Sequence, residues 1–225
     1  MNLYDAMRTT FAAREFTDEP LSDATVHSIL DRARFAPSGG NRQGWHVIVV
    51  RDPATKETLS AATMPAAKRY TAQVKAGENP WNPVDPSSVD AATVAATEPS
   101  PRLVEPVRRA PVVLVVCVDL RVVACTDKHL DRIGIIGGAS IYPFVWNILL
   151  AAREHGYGGT ITTLPIAEEP RLKAVLGIPT HVAVCAVMPL GRPAKSLTKL
   201  RRKGVAEFAT RERWDGGAFA PEARS

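Results

Sequence analysis

The sequence predicts an α+β sandwich, a single mixed sheet covered by helices, and three observations carry that expectation. Four runs read as strands: WHVIVV at 45–50, PVVLVVCVD at 111–119, the short β-branched TITT at 160–163 and HVAVCAVMPLG at 181–191. Segments with helical spacing separate them, so helices must cover the sheet they form. The run at 111–119 is almost wholly apolar, the pattern of a central strand buried on both faces.

Each element has its own local signal. A first helix is expected from Leu3 to about Thr10. Ser22 is a good N-cap with Asp23 in the first turn, and Val26, Ile29, Leu30 and Ala33 follow at helical spacing, giving an amphipathic helix that ends before Pro37. The next residues, Pro37 to Asn41, are small and turn-forming, a composition shared by ligand-binding turns and plain connectors. WHVIVV, bounded by Gly44 and by Asp52-Pro53, reads as a buried strand, and a helix is expected from about Lys56 to Val74.

Residues 77–111 hold seven prolines, so this stretch reads as an excursion outside the core, with one short helix near Val89 to Ala96. It is either a lid over a site or a simple insertion. The segment GGASIYPFVWNILLAAREHG is a helix apolar nearly all round, which implies burial in the core or against a second subunit. AEEPRLKAVLGIP is a short helix closed by Gly177. From about residue 191 an extended tail carries Phe208, Trp214 and Phe219 with little periodicity, and a partner subunit is the natural surface for it.

The 225 residues, 45% of them hydrophobic, suit one domain spanning 1–225. Cys117, Cys125 and Cys185 show no CxxC spacing, no stretch approaches the ~18 apolar residues of a membrane span, and the MNLYDAMRTTF start has no export signal, so a cytoplasmic protein is expected. The net charge of +5 is concentrated between Arg192 and Arg213, which carries +6. Such a segment suits a phosphate, a nucleic acid or a solvated face.

Several chemistries lack their motifs. There is no GxGxxG after a strand, no GxxxxGK[ST], no HExxH and no GxSxG, and the five histidines have no ligand spacing. An enzyme without such side chains draws its chemistry from a cofactor.

Four blocks point to one. AREFTDEPL, ARFAPSGGNRQGWHVIVV, FVWNILLAAREHGYGGTITTL and RRKGVAEFATRERW resemble, in order and spacing, the FMN-dependent nitroreductase family, and Asn41 to Trp45 is similar to that family's Asn-x-Gln-Pro-Trp loop. The resemblance implies a nitroreductase-like α+β fold with a mainly antiparallel sheet and a homodimer with exchanged C-terminal tails. It also implies FMN bound in the dimer interface, with NADH or NADPH as reductant and nitroaromatics, quinones or related acceptors as substrates.

In that scheme the flavin is the reactive centre and no side chain is catalytic. Arg14 faces the flavin's pyrimidine edge, where a cation favours the negative charge gained on reduction. Ser38, Gly39, Asn41 and Gln43 hydrogen-bond the flavin or its ribityl chain, Thr162 and Thr163 lie beside the ring near N5, and Arg201 and Arg202 hold the phosphate. Two departures stand out. Thr10, Phe11 and Ala12 replace the family's phosphate-gripping Arg, basic residue and Ser, and Gly44 replaces a proline. The weakened first motif leaves two other readings: a flavin-sequestering protein, or an enzyme of this fold that cleaves flavin or removes halogens.

Overall fold

The computed structural model describes residues 2–197 and 199–221, so the end of the tail lies outside the described residues. Among the described residues, seven α-helices and four strands run in the order α1 (Leu3–Thr9), α2 (Asp23–Ala33), β1 (Trp45–Val50), α3 (Pro53–Lys75), α4 (Ala91–Ala96), α5 (Pro101–Arg109), β2 (Val112–Asp119), α6 (Tyr142–Glu154), β3 (Gly158–Gly159), α7 (Glu169–Leu176) and β4 (Val182–Gly191). The sheet order is β1-β2-β4-β3, and all three pairings are antiparallel. The parallel component of the mixed sheet is a single bridge between Ala12 and Gly159.

Strand β2 divides the core because its side chains alternate between faces. Val112, Leu114, Val116 and Val118 pack with α2 and α6 through Val26, Ile29, Val145 and Ile148. Val113, Val115 and Cys117 pack with α3, α5 and α7 through Leu59, Ala62, Val107 and Leu172. The result is the three-layer sandwich expected.

Local signals place several ends as read. Ser22 Oγ accepts the Thr25 N–H at 3.1 Å and starts α2. Gly177 closes α7 in the left-handed region at φ 65°. Three expectations need correction. Strand β1 lies at the sheet edge and is half exposed, not buried, because only β2 pairs with it. The strand expected across TITT shrinks to Gly158–Gly159 plus one bridge from Thr162 to Val187.

The third correction is the proline-rich stretch, whose second half belongs to the core. In α5, Val104 and Val107 are buried, with Val107 inside the α3–α7 side of the sandwich. Pro101 occupies the first turn, where its missing N–H costs no helical bond, so the proline count hid an amphipathic helix. The first half is tied down by Glu78, whose carboxylate accepts from Ser87 and Ser88 at 2.7 Å and is held at about 2 by those bonds.

Candidate functional site

Two adjoining cavities lie beside β4, the larger near its start and the smaller near its end and α5. The larger, about 1010 Å³, runs between the start of α6, the start of β4 and the residues after Thr162. Tyr70, Trp81 and Tyr142 line it alongside aliphatic residues, and its lining contains no Asp, Glu, Lys or Arg. The smaller, about 170 Å³, is lined by Arg14, Arg102, Thr160, Thr162 and Thr163. Tyr70, Thr163 and Leu164 border both, so the two cavities adjoin across these residues.

Each wall has a structural cause. Where β4 passes β2, the register shifts between Val116 and Cys117, so Cys185 is an extra residue in the ladder. Its carbonyl is free to accept the Tyr142 hydroxyl at 3.3 Å, which fixes that ring in the wall. Trp81 is held by its N–H to Gln73 Oε1 at 3.1 Å and by Arg69, 4.6 Å from its ring. The Cys117 and Cys185 thiols are pushed by burial to about 11 and about 12, so they stay protonated and pack as small apolar groups.

The segment between β2 and α6 forms a further wall through Val123, Cys125, Ile135 and Gly138. Asp127, 4% exposed, ties it together. Its Oδ2 accepts from Arg132 Nη1 at 2.8 Å and from the N–H groups of Ile135 at 2.7 Å and Ile136 at 3.3 Å. Those bonds hold its carboxyl below the usual range. The sequence marks Asp127 only as a loop residue, since its partners depend on the loop's own path.

Because the folded carboxyl is depressed, its contribution is present above the unfolded value near 4 and is lost as pH falls through the lower folded value. Asp127→Ala is expected to raise the rate of limited proteolysis between residues 121 and 136 roughly fivefold at pH 7. Wild type should approach the variant only at acid pH. Equal rates for the two proteins at pH 7 would remove Asp127 from this role.

The residues singled out from the sequence fall into three groups. Arg14, Thr162 and Thr163 share the small cavity. Arg14 is half-buried, its guanidinium makes no ion pair among the described residues, and burial followed by the charge of Arg102 lowers its pKa. Ser38, Gly39, Asn41 and Gln43 stand on an exposed loop whose residues line neither cavity. Ser140 Oγ accepts the Gly39 N–H at 3.1 Å, and Ser38 Oγ accepts the Gln43 N–H at 3.0 Å.

Asn41 and Gln43 both have positive φ, at 51° and 49°, a cost of about 1 kcal/mol each that loops bear where they present a binding surface. Arg201 and Arg202 are exposed on the tail, with Arg202 Nη1 donating to the Arg201 carbonyl at 2.8 Å, and neither lines a cavity. The tail begins beside Arg14, where Ala194 N–H donates to the Glu15 carbonyl at 3.0 Å.

The two departures have local explanations. The Thr10 hydroxyl is used by its own helix, donating to the Ala6 carbonyl at 2.7 Å, and Thr10 is buried, so it cannot grip an external anion. At Gly44 a Cβ would stand 2.5 Å from Val122, so a proline ring at this position would displace the segment after β2.

The sequence model of the Nitroreductase family matches residues 7–192. Rat iodotyrosine deiodinase 1 is 23% identical over 216 residues, spanning 91% of this chain and 67% of that protein. A Thermus thermophilus NADH dehydrogenase is 29% identical over 182 residues, covering 81% and 82%.

Among solved structures, oxidised iodotyrosine deiodinase bound to FMN and 3-iodo-L-tyrosine superposes with a TM-score of 0.66 at 19% identity, covering 91% of this chain and 96% of that one. A BluB-like flavoprotein from Clostridium difficile 630 gives 0.69 at 22%, covering 93% and 98%. With this fold and a family match across most of its length, the chain belongs to the nitroreductase family.

Proposed function

We propose that the protein is a homodimeric FMN oxidoreductase that takes electrons from NADH or NADPH and passes them to a small uncharged aromatic acceptor, a nitroaromatic or a quinone. The observation that carries this reading is the small cavity. It gathers the half-buried Arg14 with Thr162 and Thr163, and it adjoins an apolar chamber. This donor set fits the pyrimidine edge of a flavin, which accepts hydrogen bonds and gains negative charge on reduction. FMN when bound would supply the hydride and electron chemistry. The protein's part is to hold it, favour its charged form and keep water from the acceptor.

The wall that one chain lacks fits a second copy. Ser38, Gly39, Asn41 and Gln43 form a strained, exposed loop outside the cavities, as expected if each loop completes the site of its partner. Arg201 and Arg202 sit on a tail whose Phe208 and Trp214 are exposed, and we assign them to the phosphate once the tail is exchanged. Strand β1 leaves one edge of the sheet open to such a segment. No helix among the described residues is long and apolar enough to cross a membrane.

Halogen removal is the second reading, favoured by the likeness to iodotyrosine deiodinases. Against it, a zwitterionic amino acid would need charged partners, and the large cavity's lining has none. Purified protein should be yellow and bleach with NADH or NADPH under anaerobic conditions. It should then reoxidise at least about tenfold faster with a quinone or nitroaromatic than with 3-iodotyrosine. Colourless protein that takes up no FMN sinks the reading, and preference for iodotyrosine transfers it to dehalogenation.

A further inference from the structure

Arg102 lies in the first turn of α5, inside the proline-rich stretch, and none of the sequence motifs gives it a role. It nevertheless lines the same small cavity as Arg14, together with Tyr70, Thr160, Thr162 and Thr163. No Asp or Glu lines that cavity. The nearest carboxylate to Arg102 is Glu15, 3.8 Å away, with both side chains more than half exposed, a geometry that neutralises little in water. Among the described residues Arg14 donates only to the carbonyl of Ala12, two positions before it, at 3.4 Å. Two arginines, three threonines and a tyrosine therefore line a space that no carboxylate residue lines, and such a space favours an anionic guest.

We propose that Arg102 and Arg14 together cradle an anionic group of the bound flavin, so that a residue from the proline-rich stretch supplies the grip that Thr10, Phe11 and Ala12 do not. The inference rests on the FMN reading above. Two parts of FMN share the required chemistry: the N1–C2=O edge that gains charge on reduction, to which the reading above gives this cavity, and the phosphate monoester, which would then bind here in place of its assignment to Arg201 and Arg202. The Thr10 hydroxyl is already bound within α1, and Ala12 has no polar side chain, so the second cation must come from elsewhere in the chain. Arg102 meets that need because α5 packs against the sheet and sets its first turn at the cavity.

The test compares full-length wild type, Arg102→Ala and Arg102→Lys. Apoprotein is titrated with FMN and with riboflavin by fluorescence quenching, and the midpoint potential of the bound flavin is measured against a redox dye. If the phosphate is the guest, Arg102→Ala weakens FMN about 10- to 100-fold and leaves riboflavin unchanged.

If the pyrimidine edge is the guest, the midpoint potential falls by about 30 mV for each tenfold loss of preference for the reduced form, with either flavin. Lysine should recover part of either effect, since it keeps the charge and loses the planar fork. Unchanged affinities and an unchanged potential in Arg102→Ala overturn the proposal while leaving the flavin reading in place. Wild type that binds neither flavin overturns both. The Arg102 side chain is 69% exposed, so its loss should not disturb folding, and an unaltered thermal midpoint checks this.

Discussion

A Trp146→Asp variant is expected to run as a monomer in size-exclusion chromatography with light scattering, and to lose FMN along with its partner. Trp146 stands on the outer side of α6 and remains exposed, while Phe144, Val145, Ile148 and Leu149 face the core. Helix α1 packs against α6 and adds exposed Leu3, Tyr4 and Met7. An apolar face of this size on adjoining helices marks an interaction surface. A buried interface tryptophan contributes about 2 kcal/mol or more, so its removal weakens association roughly 30-fold, and a carboxylate in an apolar contact weakens it further.

Because the loop from Ser38 to Gln43 lies outside the cavity of its own chain, a monomer should retain Arg14, Thr162 and Thr163 but only part of the site. Flavin affinity should fall at least about tenfold with dissociation. A variant that stays dimeric removes α6 from the interface. A monomer that binds FMN as tightly as wild type removes the shared site.

Phe144→Ala should cost about 3–5 kcal/mol of stability, close to the upper range for a single core truncation. Phe144 is buried and stacks on Trp45, with ring centroids 4.7 Å apart and planes within 1°. That contact joins α6 to the edge strand β1, next to the loop that carries Asn41 and Gln43. Truncation would leave a void against an indole that is itself only partly buried, and β1 would lose part of its packing against α6. Calorimetry should show a melting temperature roughly 10 °C lower, and Phe144→Leu should recover more than half of the loss. A loss below about 1 kcal/mol would mean that the sheet edge relaxes around the gap.

Much of the fold was legible because its signals are local. The cap at Ser22, the spacing of Val26, Ile29 and Ala33, and the unbroken apolar run of β2 each specify an element within a few residues. The resemblance to the nitroreductase family rested on short motifs in fixed order, and the family match over residues 7–192 spans the first three of the four blocks and stops before RRKGVAEFATRERW. Helix α5 was hidden because composition counts its prolines as breakers, whereas Pro101 sits in the tolerated first turn and the helix continues through Pro106 in its interior. The status of β1 was hidden because a run of β-branched residues looks the same at the centre of a sheet as at its edge.

For the site, the sequence could name Arg14, Thr162 and Thr163 as members of one constellation, and the fold brings these three to one cavity. It could not show that Arg102 joins them, that a bulge at Cys185 frees a carbonyl for Tyr142, or that Asp127 holds the opposite wall. The sequence by itself determined most of the helices, the strands β1, β2 and β4 and the motif order, because propensity, capping and periodicity act between neighbours in the chain. Which strand became an edge, which charges share a cavity and which loop stands outside it were decided by tertiary structure alone. Those outcomes depend on residues far apart in the chain, such as Arg14 and Arg102, which packing brings to one cavity and sequence spacing does not.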